Sequence, residues 1–179
     1  MEIWDLYNDE RKKIGKIERG QKMPEDAYHL VVHVCIFNSK GEMLIQKRNT
    51  NKKIWPGAWD LTLGGSALAG ETSRDAAQRE LSEELGLEMD FSKERPYFTI
   101  VFGDKFDKGF DDYFLIEKDV DLKDVTFKDN EVEQVKWATE TEILSMIDKK
   151  EFISFHKPLI STIFAMFKQR GAMNNFEKR

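Results

Sequence analysis

Residues 65–87 read GSALAGETSRDAAQRELSEELGL, and the second half of that stretch decides the fold. Between Thr72 and Leu85, Ala77, Leu81 and Leu85 recur at helical spacing, which predicts a helix packed on a sheet along that stripe. Thr72, with Asp75 three residues on, can cap its N-terminus, and Gly86 stands where a left-handed residue ends a helix. On the same helix Glu80, Glu83 and Glu84 are neighbours, with Cβ atoms roughly 5–6 Å apart. Three like charges on one patch repel, so helix stability alone gives no reason for them. A hard divalent cation resolves the repulsion, because Mg²⁺ takes carboxylate oxygens together with water and phosphate oxygens. A solvated acidic face is the ordinary reading of a lone E-x-x-E-E. What precedes the helix argues against it.

Upstream, the apolar run Tyr28–Phe37 predicts a central strand, since it is apolar on both faces. Asn38-Ser39-Lys40-Gly41 is a turn, and Met43–Arg48 is the returning strand of a hairpin. Asn49–Trp59 is a loop, and a short strand, Asp60–Leu63, leads into Gly64-Gly65. The chain opens with two strands, Glu2–Tyr7 and Lys12–Ile17, so residues 1–27 form an N-terminal hairpin extension. Downstream, strands are expected at Tyr97–Phe102, Asp112–Glu117 and Val132–Trp137, with Gly103–Phe110 as the loop of a long hairpin. Helices follow at Glu140–Asp148 and Pro158–Arg170, and residues 172–179 form a frayed tail. No repeat or linker interrupts the 179 residues, so one α/β (α+β) domain with helices flanking a mixed sheet is expected.

Counting from Gly65, five residues lead to Glu71 and seven more to Arg79-Glu80. The whole run is G-x5-E-x7-R-E-L-x-E-E-x-G-L without a mismatch. It resembles the Nudix hydrolases at each constrained position from Gly65 to Leu87, a far more specific match than a short glycine fingerprint. The resemblance implies a Nudix α/β/α sandwich and Mg²⁺-dependent hydrolysis of a diphosphate linkage, with Mn²⁺ as a substitute metal. Glu80, Glu83 and Glu84 then hold the metal, joined by a backbone carbonyl of Gly64 or Gly65. Arg79 holds the carboxylates in place and Glu71 supports the loop–helix geometry. The general base is one of the helix glutamates or a carboxylate from a later loop, and the resemblance does not choose between them. The implied substrate is a nucleoside diphosphate linked to another group, or a related organic diphosphate.

A second resemblance, to isopentenyl-diphosphate isomerase, rests on Lys52-Lys53-Ile54-Trp55-Pro56-Gly57-Ala58-Trp59, Tyr28-His29 and Gln46-Lys47-Arg48. That enzyme has the same fold and moves a double bond instead. Here its catalytic cysteine falls at Gly64, and two of its metal histidines fall at Ser66 and Lys22. Only His29 survives, while the hydrolytic carboxylates are complete. What transfers is an expectation that Arg48 and Lys52 contact the diphosphate, with Trp55 as an aromatic wall. A third possibility, a ligand-binding module without catalysis, calls for broken metal ligands.

Net charge is −5 and Cys35 is the single cysteine. The first argues against nucleic acid as partner, and the second fits a reducing cytoplasm rather than a disulfide framework. With no membrane-length apolar run and no signal-peptide layout at Met1–Asp5, a small-molecule partner and a monomer or homodimer are expected. His29, His33 and Cys35 share one strand face but spread over roughly 20 Å, too far for one ion. Later carboxylates that might reach the metal face are Asp111, Asp112, Glu131 and Glu133, with Asp112 and Glu131 ranked first.

Overall fold

A computed structural model describes residues 1–103, 107–128 and 130–169. Ile3–Tyr7 (β1) and Lys13–Glu18 (β2) pair antiparallel as the expected hairpin. Next come His29–Phe37 (β3), Met43–Arg48 (β4), Trp59–Asp60 (β5) and Leu63–Ser66 (β6), then the helix Ser73–Leu85 (α1). Phe98–Gly103 (β7), Lys108–Glu117 (β8) and Val132–Ala138 (β9) complete the sheet, and Glu140–Asp148 (α2) and Lys157–Lys168 (α3) follow. The tail expected at residues 172–179 lies outside the described residues.

The seven-stranded sheet runs β5-β4-β3-β8-β7, with β6 also paired to β3 and β9 to β4. It is mixed, because β3 and β8 run parallel from His29↔Gly109 to Phe37↔Glu117 while the other pairs are antiparallel. The even-numbered side chains of β3, Leu30, Val32, Val34 and Ile36, pack with Ala76, Ala77, Leu81 and Leu85 of α1. On the other face Cys35 and Phe37 pack with Ile143 of α2 and Ile160 and Phe164 of α3. Two-residue alternation on one strand therefore feeds both outer layers, and the α/β/α sandwich is the observed architecture.

Three expectations are corrected here. Strands β3 and β4 are not a continuous hairpin, because they pair only at Phe37↔Met43. Beyond that point they diverge, and the expected strand Asp60–Leu63 proves to be two pieces on different partners. Asp60 pairs with Gln46 of β4, whereas Leu63–Ser66 pair with Val34–Val31 of β3. Thr62 sits in the fork: its buried hydroxyl accepts the Ile36 N–H at 3.0 Å and donates to the Leu44 carbonyl. The split satisfies backbone groups that diverging strands would leave bare. Strand β8 also starts earlier than expected, at Lys108, which shortens the loop of the β7–β8 hairpin; residues 104–106 of that loop lie outside the described residues.

Candidate active site

Helix α1 begins as its sequence predicts. The Thr72 hydroxyl accepts the Asp75 N–H, the Asp75 carboxylate accepts the Thr72 N–H, and Gly86 closes the helix at φ 64°. With Ala76, Ala77, Leu81 and Leu85 buried, the rotation of the helix is fixed. That rotation sends Glu80 and Glu84 into the fork between β3 and β4 and leaves Glu83 exposed.

Arg79 organises the entry to the helix. Its Nε and Nη2 donate to the two oxygens of Glu71 at 2.7 and 3.0 Å, and Nη2 also reaches the Ser66 carbonyl at 3.0 Å. Glu71 in turn accepts the Leu68 N–H at 2.8 Å. Nη1 donates to Glu80 at 2.8 Å and to Glu83 at 2.9 Å. A planar guanidinium thereby locks the loop after β6 to the helix in a way a lysine would not. Gly65 lets the Glu80 carboxylate approach the backbone closely, because a Cβ there would lie 2.3 Å from the carboxylate carbon and the Glu80 side chain would have to turn away.

Glu84 is 4% exposed and accepts a hydrogen bond from Gln46 at 2.8 Å. Burial, then the neighbouring Glu80, pushes its carboxyl well above the ordinary range. Burial also pushes Glu80 up to about 7, against the opposing pull of Arg79, with Glu83 and Glu131 adding to the rise. Two carboxylates side by side in a poorly solvated fork are a costly arrangement until a cation compensates them. The cleft around them has a volume of about 570 Å³ and is lined by six carboxylates against four arginines and lysines.

The donor set is all hard oxygen, which suits Mg²⁺ or Mn²⁺. Among the described residues, however, no three acidic, histidine or cysteine side chains already stand in ligand geometry. The reason is visible: Glu80 and Glu83 are turned onto Arg79 and Glu84 onto Gln46. Glu80, Glu83 and Glu84 line the cleft together with Gly64 and Gly65, and are the side chains that could turn from these partners to a cation.

The other expected residues divide. Arg48, Lys52 and Trp55 all line the cleft. Arg48 is held by the Ile54 carbonyl at 3.2 Å and by Asp60 at 3.4 Å, and Lys52 by Glu131 at 2.6 Å. Trp55 is 46% exposed, on a residue at φ 52°. Of the later carboxylates only Glu131 faces the cleft.

Asp112 does not reach it. Buried at 1%, Asp112 is bound by Arg11, by the Ser73 hydroxyl and by Thr99 at 2.6 Å, on the hairpin side of the sheet. Asp111 lies 3.6 Å from His33, and Glu133 lies 3.5 Å from Lys47. His29 is packed in a stack with Trp4 at 4.4 Å and faces Asp107, away from the cleft. Cys35 is fully buried, and burial pushes its thiol up.

Several residues in and beside the cleft have no site role in the sequence analysis. Gln46 and Asp60 are buried polar side chains in apolar strands, which was their signal. His33 stacks on Tyr113 at 4.7 Å and lies against Gly64. Phe155 from the α2–α3 connection, and Glu2 and Arg19 from the hairpin, come in from distant sequence with no local mark.

The NUDIX domain family profile matches residues 27–162, so the chain belongs to the Nudix hydrolase family, enzymes that act on pyrophosphate bonds. An uncharacterized Nudix hydrolase of Listeria monocytogenes is 47% identical over 156 residues, 87% of this chain and 90% of that protein. Nudix hydrolase 3 of Arabidopsis thaliana is 31% identical over 160 residues, 84% of this chain and 21% of that longer protein. Among solved structures, DR0079 from Deinococcus radiodurans superposes with a TM-score of 0.70 at 27% identity, covering 90% of this chain and 97% of that one. The Nudix domain of Shewanella oneidensis NrtR, solved in complex with ADP ribose, shares the fold at a TM-score of 0.58 and 18% identity, covering 79% of this chain and 88% of that one.

Proposed function

We propose that this enzyme hydrolyses the diphosphate linkage of a nucleoside diphosphate joined to another group, or of a related organic diphosphate, in a Mg²⁺-dependent reaction. The observation that carries this reading is the buried Glu84 beside the half-buried Glu80, both pushed up mainly by desolvation, with Glu80 adding to the rise at Glu84, in a cleft where carboxylates outnumber cations. Such a cleft repels an anionic substrate unless divalent cations bind first.

Glu80, Glu83 and Glu84, with a Gly64 or Gly65 carbonyl, are the residues that hold Mg²⁺, for which Mn²⁺ substitutes. When bound, the metal offsets charge on the phosphate that leaves and makes water a better nucleophile. Glu83, the exposed member of the three, takes the proton from the attacking water as its oxygen bonds to phosphorus. The bridging P–O bond then breaks, and the electron pair leaves with the departing phosphate. Glu131 is the later-loop carboxylate placed to share that task. Arg79 and Glu71 keep the carboxylates and the loop in register. Arg48 and Lys52 contact the diphosphate by exchanging Asp60 and Glu131 for phosphate oxygens. Trp55 offers a flat wall to the organic group, and the partner is a small molecule rather than nucleic acid. No helix among the described residues is long and apolar enough to cross a membrane.

An isomerase reading gains no support. Gly64 carries no proton-transfer group, and His29 lies behind Trp4 rather than in the cleft.

The deciding experiment follows products by mass spectrometry with and without Mg²⁺. The panel holds ADP-ribose, nucleotide sugars, dinucleoside polyphosphates, nucleoside di- and triphosphates, coenzyme A and isopentenyl diphosphate. We expect metal-dependent cleavage of at least one, lost in Glu83→Gln. Metal-independent cleavage, or full rates in the variant, would overturn the assignment.

A further inference from the structure

The N-terminal hairpin reaches the same cleft by a route that the motif between Gly65 and Leu87 does not describe. Glu2 and Arg19, next to the paired ends of β1 and β2, line the cleft beside Ser66, Leu68 and Glu83. Their backbones join where the Arg19 N–H donates to the Glu2 carbonyl at 3.0 Å.

The hairpin is firmly attached to the loop that carries Gly65 and Glu71. The Ala69 N–H donates to the Ile3 carbonyl at 2.7 Å, and the Gly70 N–H to the Asp5 carboxylate at 2.6 Å. Asp5 is 2% exposed and also meets Lys13 at 2.5 Å. Trp4, stacked on His29, sits 5.8 Å below the Arg19 guanidinium. Arg19 is therefore presented from a base as well fixed as the loop itself.

Its bonding differs from that of the other three cleft cations. Arg79 is shared among three glutamates, and the side chains of Arg48 and Lys52 are 19% and 25% exposed in their pairs. Arg19 is 60% exposed, and Nη1 alone contacts Glu2, at 2.8 and 2.9 Å. Among the described residues its Nε and Nη2 make no hydrogen bond. An exposed pair of this kind adds little to folding stability. The free edge of a guanidinium is, however, the geometry that takes two oxygens of a phosphate at once.

We propose that Arg19 is a substrate-binding residue for a phosphate group beyond the diphosphate that is cleaved. The substrate class is then an organic diphosphate that carries a further phosphate. This rests on the hydrolase reading above. The charge balance supports it. Cations bound at Glu80, Glu83 and Glu84 serve the diphosphate, and Arg48 and Lys52 approach it from the other loop. A third phosphate needs a cation of its own, and the hairpin supplies one. Glu2 holds the guanidinium until that phosphate replaces it.

The test compares inorganic pyrophosphate with inorganic tripolyphosphate, titrated calorimetrically into wild type, Arg19→Ala, Arg19→Lys and Glu2→Gln with Mg²⁺ in excess. Arg19→Ala should weaken tripolyphosphate at least about tenfold and move pyrophosphate less than about twofold, with Arg19→Lys between. Glu2→Gln should strengthen tripolyphosphate by removing its competitor. Equal effects of Arg19→Ala on both ligands, or none on either, would overturn the role of Arg19 while leaving the hydrolase reading intact. Wild type that binds neither ligand would overturn both. Arg19 is exposed, so unchanged melting temperatures are expected for its variants, and a lowered one would assign it to the fold instead.

Discussion

Asp112 and Glu84 are both buried carboxylates, 1% and 4% exposed, on opposite sides of β3, and their surroundings are opposite. Asp112 receives a guanidinium from Arg11 and the hydroxyls of Ser73 and Thr99. Glu84 receives one neutral amide, from Gln46, and faces Glu80. The first ties the N-terminal hairpin, the start of α1 and the β7–β8 pair into one structure. The second is an acid whose charged form the protein alone leaves uncompensated. A buried acid with its full complement of donors reports on folding, and one short of them reports on a ligand.

Replacing each carboxylate should therefore break different things. Glu84→Gln is expected to cut turnover about a hundredfold or more. Its metal-free melting temperature should stay the same or rise, since a costly buried charge is gone. A large loss of stability, measured by thermal melting, would erase the contrast. Asp112→Ala should do the reverse. It strands Arg11 and two hydroxyls, at a cost of about 2–4 kcal/mol in urea unfolding. Specific activity of the folded fraction should change far less. An effect on turnover as large as that of Glu84→Gln would place Asp112 in the site after all.

The smallest effect is a pH dependence that isolates Glu80. Folded Glu80 keeps its proton to about 7, whereas the unfolded group loses it near the ordinary value of 4.5. Between those values the folded state binds more protons, so stability falls as pH rises. Metal-free wild type should thus lose on the order of 1–3 kcal/mol relative to Glu80→Gln between pH 4.5 and 8. Excess Mg²⁺ should flatten the difference. A gap that widens in favour of wild type as pH rises would contradict the desolvated assignment.

Much of this was readable residue by residue. Thr72, Asp75 and Gly86 mark the ends of α1, and Ala77, Leu81 and Leu85 set which way its glutamates face. These are short-range rules, in which each signal lies within a turn or two of what it controls. The divergence of β3 from β4 was not readable, because a turn at Asn38–Gly41 looks the same whether the strands stay paired or part. Thr62, whose hydroxyl fills the fork, carries no local sign of that role. Sequence supplies the charge of Asp112 but not its neighbours, so it reads there as a metal candidate. Arg11 lies 101 positions away from it.

Local sequence is enough to set the helix, its polarity and the carboxylate face, together with the family to which that pattern belongs. Tertiary structure alone decided which distant side chains meet that face: Gln46 and Asp60 from the split strands, Glu131 from the loop before β9, Glu2 and Arg19 from the hairpin. The physical reason is range. Helix periodicity and capping act over a few residues, whereas desolvation and charge pairing depend on whatever the fold brings within a few ångströms.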